Sequence, residues 1–90
     1  VAAVEGLALA GGLEIVLMCD LVVAARGARL GIPETQVGLF AAGGGLYRLG
    51  QRLPAPVAAE MALLGTPISA EEGHRLGLVN RLADAGTALD

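Results

Sequence analysis

Val1-Ala-Ala-Val-Glu-Gly-Leu-Ala-Leu-Ala-Gly-Gly-Leu-Glu-Ile-Val-Leu-Met-Cys-Asp-Leu-Val-Val-Ala-Ala25 is the stretch whose reading decides the fold. Val1 to Val4 reads as the end of a buried strand, and Glu5-Gly6 breaks it. Leu7 to Ala10 leads into Gly11-Gly12, and an apolar run follows to Cys19. Long aliphatics with Met favour helix over strand for residues 12–19. That helix is apolar on nearly every side, which predicts burial. Asp20 stops it. Leu21 to Ala25 is short and β-branched, so it reads as a strand.

Outward from this stretch, Arg26 to Arg29 forms a turn around Gly27, and Leu30-Gly-Ile32 is extended, as suits a segment leading into Pro33. Pro33-Glu34-Thr35 begins a turn or short helical piece. A loop with four glycines runs from Gly38 to Gly45, and a helix follows from Gly44 or Gly45 to Arg52. Pro54 and Pro56 open the next helix, which runs to about Leu64 with Gly65 as its C′ residue. Ser69-Ala-Glu-Glu72 has the form of a capping box, with Ser69 at the N-cap and Glu72 three residues on. That helix ends near Gly77, and Leu78 to Leu82 reads as a last strand. The tail from Ala83 carries no signal, and no internal repeat is visible. Strands alternating with helices, then mainly helices, predict an α/β (α+β) core.

Composition bounds the setting. Of 90 residues 54% are hydrophobic, with one Tyr, one Phe and no Trp. That is more apolar surface than a lone domain of this size hides easily. Two readings follow: a membrane span, or a segment of a larger core. The start in mid-run without an initiator Met fits the second. Val1 to Ala25 is long enough to span a bilayer, but Glu5, Glu14 and Asp20 lie inside it. Each acid at mid-bilayer costs about 2.5–3.5 kcal/mol, against a few tenths gained per Leu or Val. No basic segment of a signal peptide precedes the run. The net charge is −3 and the six basic residues, all Arg, are scattered, so no nucleic-acid footprint exists. Cys19 is alone, which excludes an internal disulfide and reads as a buried inert thiol. The setting expected is cytoplasmic or an organelle matrix.

Glu14 is the informative oddity. From Gly12 to Cys19 no other charge shares its helix, so no polar stripe accounts for it. Either it is exposed, or its carboxyl faces a cleft where partial desolvation tunes it. Gly11-Gly12 admits two readings as well: a tight turn packing helix on sheet, or outward amides at a helix start that bind an anion or oxyanion. Glu34, on pattern alone, is a solvent-exposed acid at a helix start. The Gly38–Gly45 loop lacks the Lys and the Ser or Thr of a nucleotide-binding loop. His74 reads as a surface residue among Glu71, Glu72 and Arg75, no second His or Cys offers a metal site, and Leu46 and Tyr47 read as packing.

Taken together, these residues resemble the enoyl-CoA hydratase/isomerase (crotonase) family, as the C-terminal half of its core. The resemblance is carried by Val1 through Glu14, Cys19-Asp20, Val23-Ala-Ala25, Gly31-Ile-Pro-Glu34 and Val37-Gly-Leu39, then Gly43-Gly-Gly-Leu-Tyr-Arg-Leu49, Leu64-Gly65, Ile68-Ser-Ala-Glu-Glu72 and Gly77-Leu-Val-Asn80. It implies part of a ββα spiral with the catalytic glutamates over residues 1–53, and the start of a C-terminal helical region over 54–90. It also implies a hydro-lyase that adds water to a trans-2-enoyl-CoA thioester. Glu34 would protonate the α-carbon, Glu14 would orient and activate the water, and the Gly11 amide would be one oxyanion donor. Two glutamates favour a hydratase over a double-bond isomerase; other acyl-CoA reactions of the family and a non-catalytic scaffold member are the alternatives.

No cofactor is implied beyond the coenzyme A of the substrate, and the partners implied are copies of the same chain, in trimers or hexamers. Fatty-acid oxidation is the family's commonest setting. One departure concerns the loop, where Ala41-Ala-Gly-Gly-Gly45 stands for the family's Pro-Gly-Ala-Gly-Gly. Ala42 replaces a glycine whose amide meets the catalytic water, with Gly43 beside it; alanine keeps that N–H if φ is negative. The family's N-terminal half, source of the other oxyanion amide and of most coenzyme A contacts, is absent, so these 90 residues alone are expected to be inactive.

Overall fold

The structure is a computed structural model that describes residues 1–32 and 45–89, of residues 45–47 the backbone only. The elements in order are β1 (Ala2–Val4), β2 (Leu7–Leu9), α1 (Gly11–Leu17), β3 (Val22–Ala25), β4 (Arg29–Gly31), α2 (Gly45–Arg52), α3 (Ala55–Leu64), β5 (Ile68–Ser69), α4 (Ala70–Arg75) and β6 (Arg81–Ala83). They form two three-stranded sheets, ordered β1-β3-β6 and β2-β4-β5.

The two sheets arise from one operation. A strand pair with a Glu5-Gly6 corner, β1 then β2, is laid down again as β3 then β4, one on top of the other. β1 pairs parallel with β3, Ala2 opposite Val22, and β2 pairs parallel with β4, Leu7 opposite Arg29. One turn of this coil is therefore 20 residues along the first sheet and 22 along the second. The expectation of no internal repeat concerns the residues themselves and is left standing. The repeat is one of backbone path, since Ala-Ala-Val lies against Val-Val-Ala with no shared spelling. Parallel strands also need a long crossover, and α1 supplies it.

β3 is the central strand of the first sheet, and Val22, Ala24 and Ala25 are fully buried. A single core gathers Leu13, Val22, Leu30, Ile32, Leu49, Met61 and Leu78. Each such side chain contributes about 1.5–3 kcal/mol by leaving water. Gly31 matters here for room: a Cβ on it would lie 2.8 Å from Cβ and 2.9 Å from Cα of Pro67.

Other expectations are met with shifted ends. α1 stops at Leu17, two residues early, because Met18 and Cys19 turn their amides to carbonyls only three residues back. Only one face of α1 is buried; Ile15 and Met18 are exposed, which corrects the burial expected on all sides. Cys19 is likewise half-buried, its Sγ 3.6 Å from the Ile15 carbonyl. Gly65 ends α3 with φ 70°. Ser69 Oγ accepts from the Glu72 amide at 3.0 Å, but Glu72's carboxylate bonds Arg75 instead of completing the box. β5 was not foreseen; it pairs antiparallel with β4.

The last strand runs over 81–83 instead of 78–82. Gly77, at φ 94°, closes α4 by donating to the His74 carbonyl, and Leu78 donates to that of Gly73, which uses Leu78 and Val79 in a helix end buried in the core. Asn80 bridges to the sheet: its amide donates to the Val22 carbonyl and its side-chain oxygen accepts from the Val22 amide, both at 2.8 Å. The tail, silent in the sequence, is tied down by Glu5, whose carboxylate accepts from Gly86 at 2.7 Å and Ala88 at 2.6 Å.

Candidate active site

β2 and β4 end side by side, Leu9 opposite Gly31. At that edge the chain leaves β2 into α1, and leaves β4 through Ile32. The carboxyl ends of adjacent parallel strands are where α/β sheets hold ligands, because loops and helix starts gather there. Ala10 makes the junction. Its amide donates to the Gly31 carbonyl at 2.9 Å, and its carbonyl accepts from Glu14 at 3.0 Å. It pays for this with φ 53°, ψ −123°, a conformation that favours glycine. Ala10 carries the one positive φ of a non-glycine among the described residues.

Gly11 and Gly12 follow as the first turn of α1 and are exposed. A helix leaves its first four amides without internal partners, and no side chain caps this one. Among the described residues nothing lies within 4 Å of a Cβ built on either glycine, so neither is there to avoid a side-chain clash.

Glu14 sits one turn further and is only 9% exposed, the one buried charged residue among those described. Its neighbours on the buried face are Leu13, Val16 and Leu17. Among the described residues no hydrogen bond or ion pair meets its carboxylate. This excludes the exposed-acid reading and any fixed arginine partner among those residues. A buried carboxylate without a partner is costly, so its place on this face calls for a reason beyond packing. Gly11 and Glu14 are three residues apart on one helix and so lie on one side of it. Of the residues expected at the site, Glu34, Ala42 and Gly43 lie outside the described residues.

Sequence reasoning missed Arg52. The sequence marks it only as the last residue of its helix. Instead its guanidinium reaches α1: Nη1 donates to the carbonyls of Leu17 at 3.2 Å and Cys19 at 3.0 Å, and Nη2 to that of Leu78 at 3.4 Å. Elsewhere, a groove of about 640 Å³ is lined by Val1, Ala3, Val23, Arg81, Ala83 and Leu89 among others. Among the described residues that line it none has a carboxylate side chain, and Glu14 and Gly11 are not part of it. No helix among the described residues is long and apolar enough to cross a membrane, because α1 ends after seven residues.

The family model for enoyl-CoA hydratase/isomerase matches residues 1–88. The chain belongs to the enoyl-CoA hydratase/isomerase family. An enoyl-CoA hydratase of Mycobacterium marinum is 58% identical and superposes with a TM-score of 0.96 over 98% of this chain and 35% of that one. A peroxisomal fatty acid beta-oxidation multifunctional protein of Arabidopsis thaliana is 48% identical over 99% of the chain and 12% of its own length. A mevalonyl-coenzyme A hydratase of Aspergillus fumigatus is 48% identical over 93% of the chain and 31% of its own length. The chain thus spans about a third or less of these relatives. The stacked strand pairs are part of the spiral of ββα units of this enoyl-CoA hydratase fold, followed by helices α3 and α4.

Proposed function

We propose that the protein carrying this chain is a hydro-lyase that adds water across a trans-2-enoyl-CoA thioester, with Glu14 and Glu34 as its acid–base pair. The observation that carries the reading is the buried carboxylate of Glu14, unpartnered among the described residues, on the helix whose uncapped start is the exposed pair Gly11-Gly12. In the sequence Glu34 comes three residues after Gly31, and Gly31 stands opposite Leu9, five residues before Glu14. The relatives support hydration as the reaction class, since one is named an enoyl-CoA hydratase and another a mevalonyl-coenzyme A hydratase.

In this mechanism the Glu14 carboxylate takes a proton from a water molecule as its oxygen bonds to the β-carbon. The electron pair of the double bond moves into the thioester, whose oxygen becomes negative. The Gly11 amide donates to that oxygen; one such donor contributes about 3–4 kcal/mol to the transition state. Glu34 in its acid form gives its proton to the α-carbon. A 3-hydroxyacyl thioester leaves, and proton exchange between the two acids restores the starting state. The two carboxyls must therefore begin in opposite protonation states. Ala42 and Gly43 belong to the loop that would hold the water.

The test uses the full-length protein and crotonyl-CoA, following loss of the enoyl thioester. Glu14→Gln and Glu34→Gln should each lower kcat by roughly 10²–10⁴-fold, the usual weight of one general acid or base. An isomerase would tolerate one of the two changes. Wild-type kcat in either variant refutes the pairing.

A further inference from the structure

We propose that Arg52 is a positioning residue for Glu14 and the Gly11 amide, acting by anchoring the far end of α1. The inference rests on the hydratase reading above for its kinetic arm. α1 has seven residues, well short of the 12–15 at which a helix in water is even marginal, so contacts must hold it. Its start has no side-chain cap and is held by the backbone bond from the Ala10 amide to the Gly31 carbonyl, through a strained residue. Its last turn holds no basic residue of its own to meet the negative end of the dipole.

Arg52 supplies what is missing from another helix. One planar guanidinium bonds the carbonyl of Leu17, the last residue of α1, and that of Cys19 just beyond it. Its other arm reaches Leu78, whose side chain is fully buried in the core. The group is half-buried, which strengthens these bonds over surface ones. It ties α1, α2 and the turn after α4 at one point. Rotation or sliding of α1 about its strained start would move Glu14 and Gly11 together, and reaction rate is sensitive to such shifts: a misplacement of about 1 Å can cost about 10²-fold.

The experiment compares wild type, Arg52→Met and Arg52→Lys in the full-length protein, with crotonyl-CoA kinetics and amide hydrogen exchange. Arg52→Met should lower kcat about tenfold with KM nearly unchanged, as expected when a group is misplaced in the transition state and binding is kept. Amides of α1 should exchange faster while those of β3 do not. Lysine keeps the charge but lacks the fork, so the kcat of Arg52→Lys should fall between those of Arg52→Met and wild type; it also carries the test if the methionine variant does not fold. Wild-type kcat in Arg52→Lys alongside an unfolded Arg52→Met, wild-type kcat in both, or exchange that accelerates equally in α1 and β3 overturns the proposal. A wild-type protein without turnover sinks the hydratase reading; the exchange comparison then still decides whether Arg52 holds α1.

Discussion

Replacing Ala10 by glycine should make the protein more stable, against the usual direction of that substitution. At an ordinary position Ala→Gly costs about 0.4–1 kcal/mol, because glycine has more freedom to lose on folding. At Ala10 a second contribution opposes it. The backbone stands at φ 53°, ψ −123°, where an L side chain is crowded against its own carbonyls. A residue held in such a region stores about 1–3 kcal/mol. Removing the Cβ releases this, so the balance is a gain on the order of 1 kcal/mol. With a urea slope of about 1–3 kcal/mol per molar, the midpoint should rise by roughly 0.3–1 M. Ala8→Gly is the control, since Ala8 is a buried strand residue with no strain to release, and it should lower the midpoint. The same turn aims the Gly11 amide, so Ala10→Gly should also cost some kcat, a trade of rate for stability. If Ala10→Gly destabilises as much as Ala8→Gly, the strained turn is not a feature of the folded protein.

Two further outcomes follow from hydrogen bonds described above. Asn80→Ala leaves the partly buried Val22 amide without its acceptor and should cost about 1–3 kcal/mol by urea unfolding, whereas Asn80→Asp keeps an acceptor and should cost less; equal losses would mean that the bond does not count. Glu71 accepts from its own amide and from that of Gly27, with Arg26 nearby, and these hold its carboxyl below the ordinary 4.5. A depressed carboxyl pKa gives stability that is present above the unfolded value and lost as pH falls through the folded one. The midpoint gap between wild type and Glu71→Gln should therefore be open at pH 7 and close below about pH 4.5; a gap equal at both ends would assign the effect to something other than charge.

Much of the fold was legible because glycine, proline and apolar runs punctuate this chain at element ends. Gly65 and Gly77 marked helix ends for a reason visible in one residue, the freedom to take positive φ. β2 and the coil were not legible. A three-residue strand is too short to show alternation, and its partner in β4 lies a full turn away along the chain. Glu14 stood out because its helix carries no other charge. Gly11 was readable as a helix start with free amides, whereas the strain at Ala10 left no mark, since alanine is unremarkable by type. Arg52 was hidden for another reason: its acceptors are main-chain carbonyls 26 to 35 positions away, and a carbonyl has no letter in a sequence.

The stacking of β1 on β3 and of β2 on β4 also bears on how such a chain can change over time. Each rung faces its counterpart a fixed number of residues later, so what is inherited here is a count as much as a set of letters. Deleting one residue inside α1 would swing the following side chains about 100° around the helix axis. Deleting one inside β3 would exchange its inward and outward side chains. Even the exposed corner Arg26-Gly27 is tied, the Arg26 amide to the Ala83 carbonyl at 2.8 Å and the Gly27 amide to the Glu71 carboxylate at 3.2 Å.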